Sequence, residues 1–582
     1  MKKQIQTSML LIAVLAFAVM AEPKVTSVAS IGKGVAADQP GGEIAQGSVF
    51  QVAGIFFEGG DPVVSELPLG TEVAGVKVIF TAEDGTAVEA FIQEVRVNRI
   101  TGILPSTAAA GKYKIKVTVN GEASKELAAV VVQRNPGIVT TGRTGAGQAS
   151  AKMIVPDADP VVNGFTKPAR PGQQIVLAVT GLGPITGADN ELPTEENLLP
   201  LKVAIGSKEV DATFAGRDGV SPGMDKVTFT LPEDVEVGCG VPVLLKWDGG
   251  ESNSAGLTIE KPDKAACTHP WGLSEDTLRR LDEGGTVGVG FFFLARIGIQ
   301  TTAAGITIDS SSESFGGSFE RLTVSQLPTT SLYDAPLNIT TIGNCSVISV
   351  FTQQTDTPVE VVDDPSLDAG PELTLTGPNG LNKAIPRQKG NSYSASLGTS
   401  TGLPSIPGLP TIPGLPGLPG ASGPLVVAGD YRLTGRGGND VGPFTANLTV
   451  GQPLTWTNRD QITAIDRSRP LTVTWSGGTG SDTISLSGTS INVDVASKTS
   501  RGDYFWCTGY VRDGSLTVPT GILQRLQPTT GSIETGSIGT LTLNTSTTPP
   551  NGQFKAPLVA GGEVEYAIFG FTQGAQKTLP VR

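Results

Sequence analysis

Short apolar runs alternate with polar positions along most of this chain. In residues 112–119 (KYKIKVTV), Tyr113, Ile115, Val117 and Val119 fall on one side of an extended segment, with lysines and a threonine on the other. A period of two over four to eight residues marks a strand with one buried face. The same reading places strands at Val287 to Ile299, Phe319 to Ser325, Ser346 to Thr352, Glu372 to Thr376, Gly429 to Thr434, Leu471 to Trp475 and Ser515 to Val518. Helical periodicity is confined to Ser274 to Asp282. There Glu275 and Asp276 stand at the start and Arg279 and Arg280 near the end, as a helix dipole favours.

The 75 glycines and 41 prolines fall between these runs, so they read as turns joining many short strands. At 582 residues the chain exceeds what one core can hold, and three to five domains are expected.

Two segments repeat one another. One carries Leu104-Pro105, Gly111, a β run, Asn120-Gly121 and Ser124. The other carries Leu231-Pro232, Gly238, a β run, Asp248-Gly249 and Ser252. Asn-Gly and Asp-Gly accept the positive φ of a tight hairpin. Upstream, residues 47–52 (GSVFQV) match 172–177 (GQQIVL), so each copy reads as one sandwich of about 110 residues.

These residues resemble immunoglobulin-like domains of the IPT/TIG type. The second copy has Asn135-Pro136-Gly137-Ile138-Val139, Gly145-Ala146-Gly147-Gln148-Ala149, Arg170-Pro171-Gly172 and Thr180-Gly181-Leu182-Gly183. It is similar to a domain of unknown function that recurs in secreted acidobacterial proteins. Residues 367–371, 376–380 and 454–458 resemble companion regions of the same proteins. The resemblance implies β-sandwiches and export, and transfers no catalytic residue.

The expected fold class is all-β: tandem immunoglobulin-like sandwiches followed by further β-rich sandwich domains. The expected divisions are a signal peptide at 1–21, sandwiches at 22–134 and 135–262, a β-rich domain at 263–370 and a β-sandwich region at 371–582. A Pro/Gly-rich stretch at 402–420 reads as an extended loop, because Ser405 and Thr411 stand where a collagen helix needs glycine.

Lys2 and Lys3, the apolar Met9 to Val19 and Val19-Met20-Ala21 follow the order of a secretory leader. With the leader removed, no later run is long enough to span a membrane. The implied location is extracellular or cell-surface, or periplasmic. A net charge of −13 and the lack of a basic, aromatic-bearing run argue against nucleic acid as a partner.

An even set of four cysteines, Cys239, Cys267, Cys345 and Cys507, suits disulfides in an exported chain. A strand, the Asp248-Gly249 turn and a returning strand would bring Cys239 near Cys267, leaving Cys345 to pair with Cys507. The rival is free buried thiols.

Candidate chemistry is thin. Gly219-Val220-Ser221-Pro222-Gly223 has the nucleophile-elbow pattern, but Pro222 lacks the N–H that an oxyanion hole requires. His269 is the one imidazole in the chain, and it reads as a surface residue. Asp363, Asp364 and Asp368 could supply calcium ligands, although a solvated loop fits their spacing better. Arg501-Gly502-Asp503 is an adhesion tripeptide only if displayed. Trp456, Trp475 and Trp506 could stack on sugars, or fill a core. No cofactor, catalytic residue or metal ligand is assigned. The favoured function is an exported, non-catalytic binding or structural protein with an unknown extracellular or cell-surface partner, a glycan among the candidates. The alternative is a carboxylate-dependent glycan hydrolase or lyase with its site in the second half.

Overall fold

The computed structural model describes residues 23–38, 41–55, 61–143, 145, 147–269, 272–303, 306–323, 345–353, 366–401, 425–494, 499–531 and 535–582. The leader, the 402–420 stretch, Asp363 and Asp364 lie outside the described residues. The fold is almost entirely β, and the longest helix among the described residues is the eight-residue Glu275–Asp282. Ser274 caps that helix by accepting from the Thr277 N–H at 3.2 Å.

The first sandwich stacks two sheets. One orders Lys24–Ser30, Val49–Ile55, Arg99–Ile103 and Phe91–Arg96. The other orders Leu127–Val132, Gly111–Val119, Val76–Ala82 and Ala87–Glu89. The second sandwich repeats both orders. Ala151–Met153, Gln174–Thr180, Asp225–Thr230 and Phe214–Arg217 form its first sheet, and Ala255–Ile259, Gly238–Trp247, Lys202–Ile205 and Lys208–Asp211 its second. The alternation read at residues 112–119 buries Tyr113, Ile115, Val117 and Val119 in the first core.

The repeated serine has a physical role. Ser124 Oγ accepts from the Val117 N–H at 3.0 Å and donates to the Lys125 carbonyl at 2.8 Å. Ser252 Oγ accepts from Leu245 at 2.8 Å and donates to Asn253 at 2.7 Å. Each hydroxyl thus satisfies a buried strand amide where the hairpin departs from the ladder.

The remaining strands are organised by one eight-stranded sheet. Its order is Cys345–Gln353, Thr499–Tyr510, Thr483–Asp494, Ser537–Ser546, Tyr566–Thr578, Thr286–Ala303, Ile306–Thr323 and Tyr393–Thr401. All neighbours are antiparallel except Thr286–Ala303 with Tyr566–Thr578. Strands from either side of residue 370 share this sheet, so a division at 370–371 cuts through its hydrogen-bonded ladder.

One face of that sheet carries two cores. Phe292, Phe315, Phe319 and Phe569 pack under the four-stranded sheet of Leu381–Pro386, Glu372–Gly377, Gly429–Gly435 and Phe444–Val450. Leu486, Phe505, Leu541 and Leu543 pack under the three-stranded sheet of Leu454–Trp456, Leu471–Gly477 and Ser515–Val518. The structure therefore fuses two sandwiches along a shared spine.

Candidate functional site

The most constrained chemistry lies where the sandwiches meet. Arg217 ends a strand of the second sandwich and is fully buried. Its Nη1 donates to Asp225 Oδ1 at 2.5 Å, and its Nη2 donates to the Gly47 carbonyl of the first sandwich at 2.8 Å and to Gly183 at 3.1 Å. Asp225 also accepts from the Leu182 N–H at 2.8 Å. Burial pushes its carboxyl up to about 6, against the pull of Arg217 and Leu182. Beside the pair, Ile31, Val49, Leu69, Ile103 and Val139 form a small core drawn from both sandwiches. Asp189 reaches across to accept from Ser106 N at 2.6 Å and Ser106 Oγ at 2.7 Å.

A second joint ties the first sandwich to the second, through Lys33, and to the later part of the chain, through Asp38. Lys33 is buried, donates to the Glu251 carbonyl at 3.1 Å and lies 5.7 Å from the Trp247 ring centre. Burial, aided by the Arg525 charge and opposed by Glu43, lowers its ammonium to about 7. Nearby, Arg501 Nη1 donates to both Asp38 oxygens at 2.7 Å.

The third joint holds the second sandwich to the eight-stranded sheet. Asp282, at the end of the helix, accepts from Phe165 N at 2.9 Å and from Thr166 N and Oγ1 at 2.7 Å each. Cys239 and Cys267 are disulfide-bonded, with Cα atoms 5.2 Å apart, in a core that includes Leu278, Leu281, Val289 and Tyr566. His269 is buried here, edge-on to Phe165 at 6.0 Å between ring centres, rather than on the surface. Burial drives its imidazole down to about 4. The other disulfide, Cys345–Cys507, bridges directly opposed residues of neighbouring strands.

The candidate chemical groups do not assemble into a reaction centre. Ser221 sits in a loop between strands, where Asp218 Oδ1 accepts from the Val220 and Ser221 N–H groups at 2.8 and 2.9 Å. Asp368 is committed to its own fold: it accepts from Gly370 N at 2.8 Å and Asn439 Nδ2 at 2.9 Å, and pairs with Arg387 at 2.6 Å. Burial pushes its carboxyl up, but these bonds outweigh that and hold it below the ordinary value. In the Arg501-Gly502-Asp503 tripeptide, Asp503 is fully buried and Arg501 is paired, so the motif is a strand segment and not a displayed loop. Trp456 and Trp475 are core residues whose indole N–H groups donate to Asn458 Oδ1 at 3.0 Å and the Val511 carbonyl at 2.7 Å. Trp506 alone of the three is partly exposed.

Among the described residues no group of three or more His, Cys, Asp or Glu is placed to hold a metal ion. No helix among them is long and apolar enough to cross a membrane. A groove of about 670 Å³ lies on the outside of the four-stranded sheet, between Arg432, Asn447 and the loop at Asn551 to Gln553. It contains one carboxylate, Asp430, where glycoside hydrolysis by acid–base chemistry requires two.

Sequence reading passed over Arg217 and Lys33. The signal for Arg217 was a charged residue in the apolar register of its strand; Lys33 sits in a turn and carried none.

No family model matches the chain, and no curated protein matches it. Among solved structures it is similar to a tetra-tandem repeat from the extending region of a large adhesion protein. The identity is 11%, the coverage 92% of this chain and 96% of that one, and the TM-score 0.12. It is also similar to domains 5-6 of the S-layer protein SbsC, with 12% identity, 41% and 99% coverage and a TM-score of 0.17. A three-domain stretch of titin gives 9% identity, 71% and 94% coverage and a TM-score of 0.13. At such TM-scores these likenesses carry no argument, and the β-sandwich fold rests on the strand pairing itself.

Proposed function

We propose that this chain is an exported structural and display protein: a rigid, non-catalytic β scaffold that holds a binding face away from the surface it serves. The observation that carries the reading is the construction of the joints. Flexibly linked domains meet through modest, wet interfaces. Here each joint instead buries charged or apolar side chains in contact with the neighbouring body, as Arg217 does with Gly47. Building such joints makes sense for a protein whose task is to keep distance and orientation. The leader order at Lys2 to Ala21 supports export, and the likeness to secreted acidobacterial proteins supports a place at or beyond the cell surface.

The test has two parts. N-terminal analysis of protein recovered outside the cytoplasm should find Glu22 as the first residue. Small-angle scattering of the mature chain should fit one fixed arrangement of sandwiches. Cytosolic protein retaining Met1, or a scattering profile that requires a flexible ensemble, overturns the proposal.

A further inference from the structure

Part of the face of the eight-stranded sheet opposite its two cores is uncharged; towards its other end Val289, Phe291 and Tyr566 are buried against the second sandwich, beside Glu320. Strand register places Trp506, Ser487, Thr542, Gln576, Ile299 and Ser310 in one row across six strands, each partly exposed. The next row runs through Tyr504, Thr489, Thr540 and Thr578, also partly exposed. Thr489 and Thr540 hydroxyls meet at 2.6 Å, which fixes them on the same side. Phe505, Leu486 and Leu541 point the other way into the core. Neither row contains an Asp, Glu, Lys or Arg, in a chain of net charge −13.

Two aromatics stand on this face two residues apart along one strand, about 7 Å between their Cα atoms. Tyr504 lies flat: a Cβ at Gly502 would fall 2.6 Å from its ring, so the glycine is what lets the ring cover the strand. The uncharged stretch ends where Arg512 stacks on Tyr510, 3.8 Å from the ring centre. Six strands at about 4.8 Å make the first row about 24 Å long, enough for several sugar rings.

We propose that this face binds a neutral, extended glycan, with Tyr504 and Trp506 stacking on sugar rings and the flanking Ser, Thr and Gln side chains taking the sugar hydroxyls. Stacking uses the apolar face of a pyranose against an aromatic plane, and hydroxyl and amide groups both donate and accept to match it. Charge complementarity selects the ligand class. An acidic polymer is repelled by the average field of the chain, and the two rows hold no cation to offset that.

The inference rests on the display reading, since it assigns that scaffold its ligand. Mature full-length protein is tested for retention on cellulose and β-1,3-glucan, with polygalacturonate as the acidic control, in parallel with the export and scattering measurements. Retention on a neutral glycan is expected, weakened at least about tenfold in Trp506→Ala and in Tyr504→Ala. Trp506→Tyr should keep most of it, and Arg432→Ala, in the groove of the four-stranded sheet, should leave it unchanged. Retention on neither neutral glycan, retention on polygalacturonate alone, or loss in Arg432→Ala but not in Trp506→Ala overturns the proposal. So does self-association of the mature chain that is abolished by Trp506→Ala, because the face would then be covered by a second copy. A correctly processed, rigid protein that fails these binding tests sinks the glycan assignment and leaves the scaffold reading standing.

Discussion

Replacing Asp225 by Ala should loosen the joint between the first two sandwiches far more than it disturbs the rest of the molecule. The guanidinium of Arg217 is fully buried, and Asp225 is its charged partner at 2.5 Å. Without the carboxylate, that charge keeps only the Gly47 and Gly183 carbonyls, and the Leu182 N–H loses its acceptor. Removing one member of a buried ion pair costs about 3–5 kcal/mol, because the remaining charge stays desolvated. The carboxyl is raised only to about 6, so at pH 8 the pair is ionised and the full effect applies. Unfolding of a chain with several sandwiches is not two-state, so a single melting temperature is the wrong readout. Hydrogen exchange at pH 8 resolves the joint. Amides of Val49–Ile55 and Asp225–Thr230 should exchange about two to three orders of magnitude faster in Asp225→Ala, while those of Ser537–Ser546 stay unchanged. The double replacement Arg217→Met/Asp225→Leu should recover most of the loss. Acceleration below about fivefold, equivalent to about 1 kcal/mol, would refute the claim that this pair secures the joint.

Three further outcomes follow from the other joints. His269 is held near 4 by burial, below its unfolded value of 6.5, so the unfolded chain binds the extra proton between those values. Stability of the third joint should therefore fall by about 3 kcal/mol as pH drops from 6.5 to 4, and the lone histidine resonance should titrate near 4; a midpoint near 6.5 contradicts the burial. Lys33 is likewise lowered, to about 7 from 10.5, so the second joint should strengthen as pH rises from 7 to 10.5; Lys33→Met should stabilise it at pH 7 and flatten that slope, measured by hydrogen exchange of Lys24–Ser30. Non-reducing peptide mapping should recover Cys239–Cys267 and Cys345–Cys507 peptides. In the loop-entropy model, separations of 28 and 162 residues correspond to about 3.5 and about 5 kcal/mol, so Cys345→Ala/Cys507→Ala should destabilise more than Cys239→Ala/Cys267→Ala.

Local periodicity made the strands legible, and local spacing made the first two sandwiches legible. Tyr113 to Val119 announced its inward face, and the Ser124 and Ser252 spacing reflects a hydrogen bond that closes within eight residues. What stayed hidden depends on contacts remote in sequence. The eight-stranded sheet pairs Thr286–Ala303 with Tyr566–Thr578, strands separated by more than 260 residues, and no local pattern encodes that partner. A boundary drawn near residue 370 from local signals was therefore bound to cut through the sheet.

The same limit explains which candidate residues changed meaning. Short motifs such as the Arg501-Gly502-Asp503 tripeptide and the Ser221 pattern are defined by neighbours in sequence, whereas display and catalysis depend on neighbours in space. Asp38 takes the charge of Arg501 from 463 positions away, and Asp503 is buried within the strand, so the motif is not displayed. Trp506 went the other way. Its sequence context, an apolar β run, is the same kind that buries Trp456 and Trp475, and only strand register decides that it lies on the face opposite Phe505 and Cys507. Ser487, Thr542 and Gln576 beside it look unremarkable one at a time, as solvent-side positions of amphipathic strands. Paired in register they become a continuous uncharged surface, a property that belongs to the sheet and to none of its strands alone.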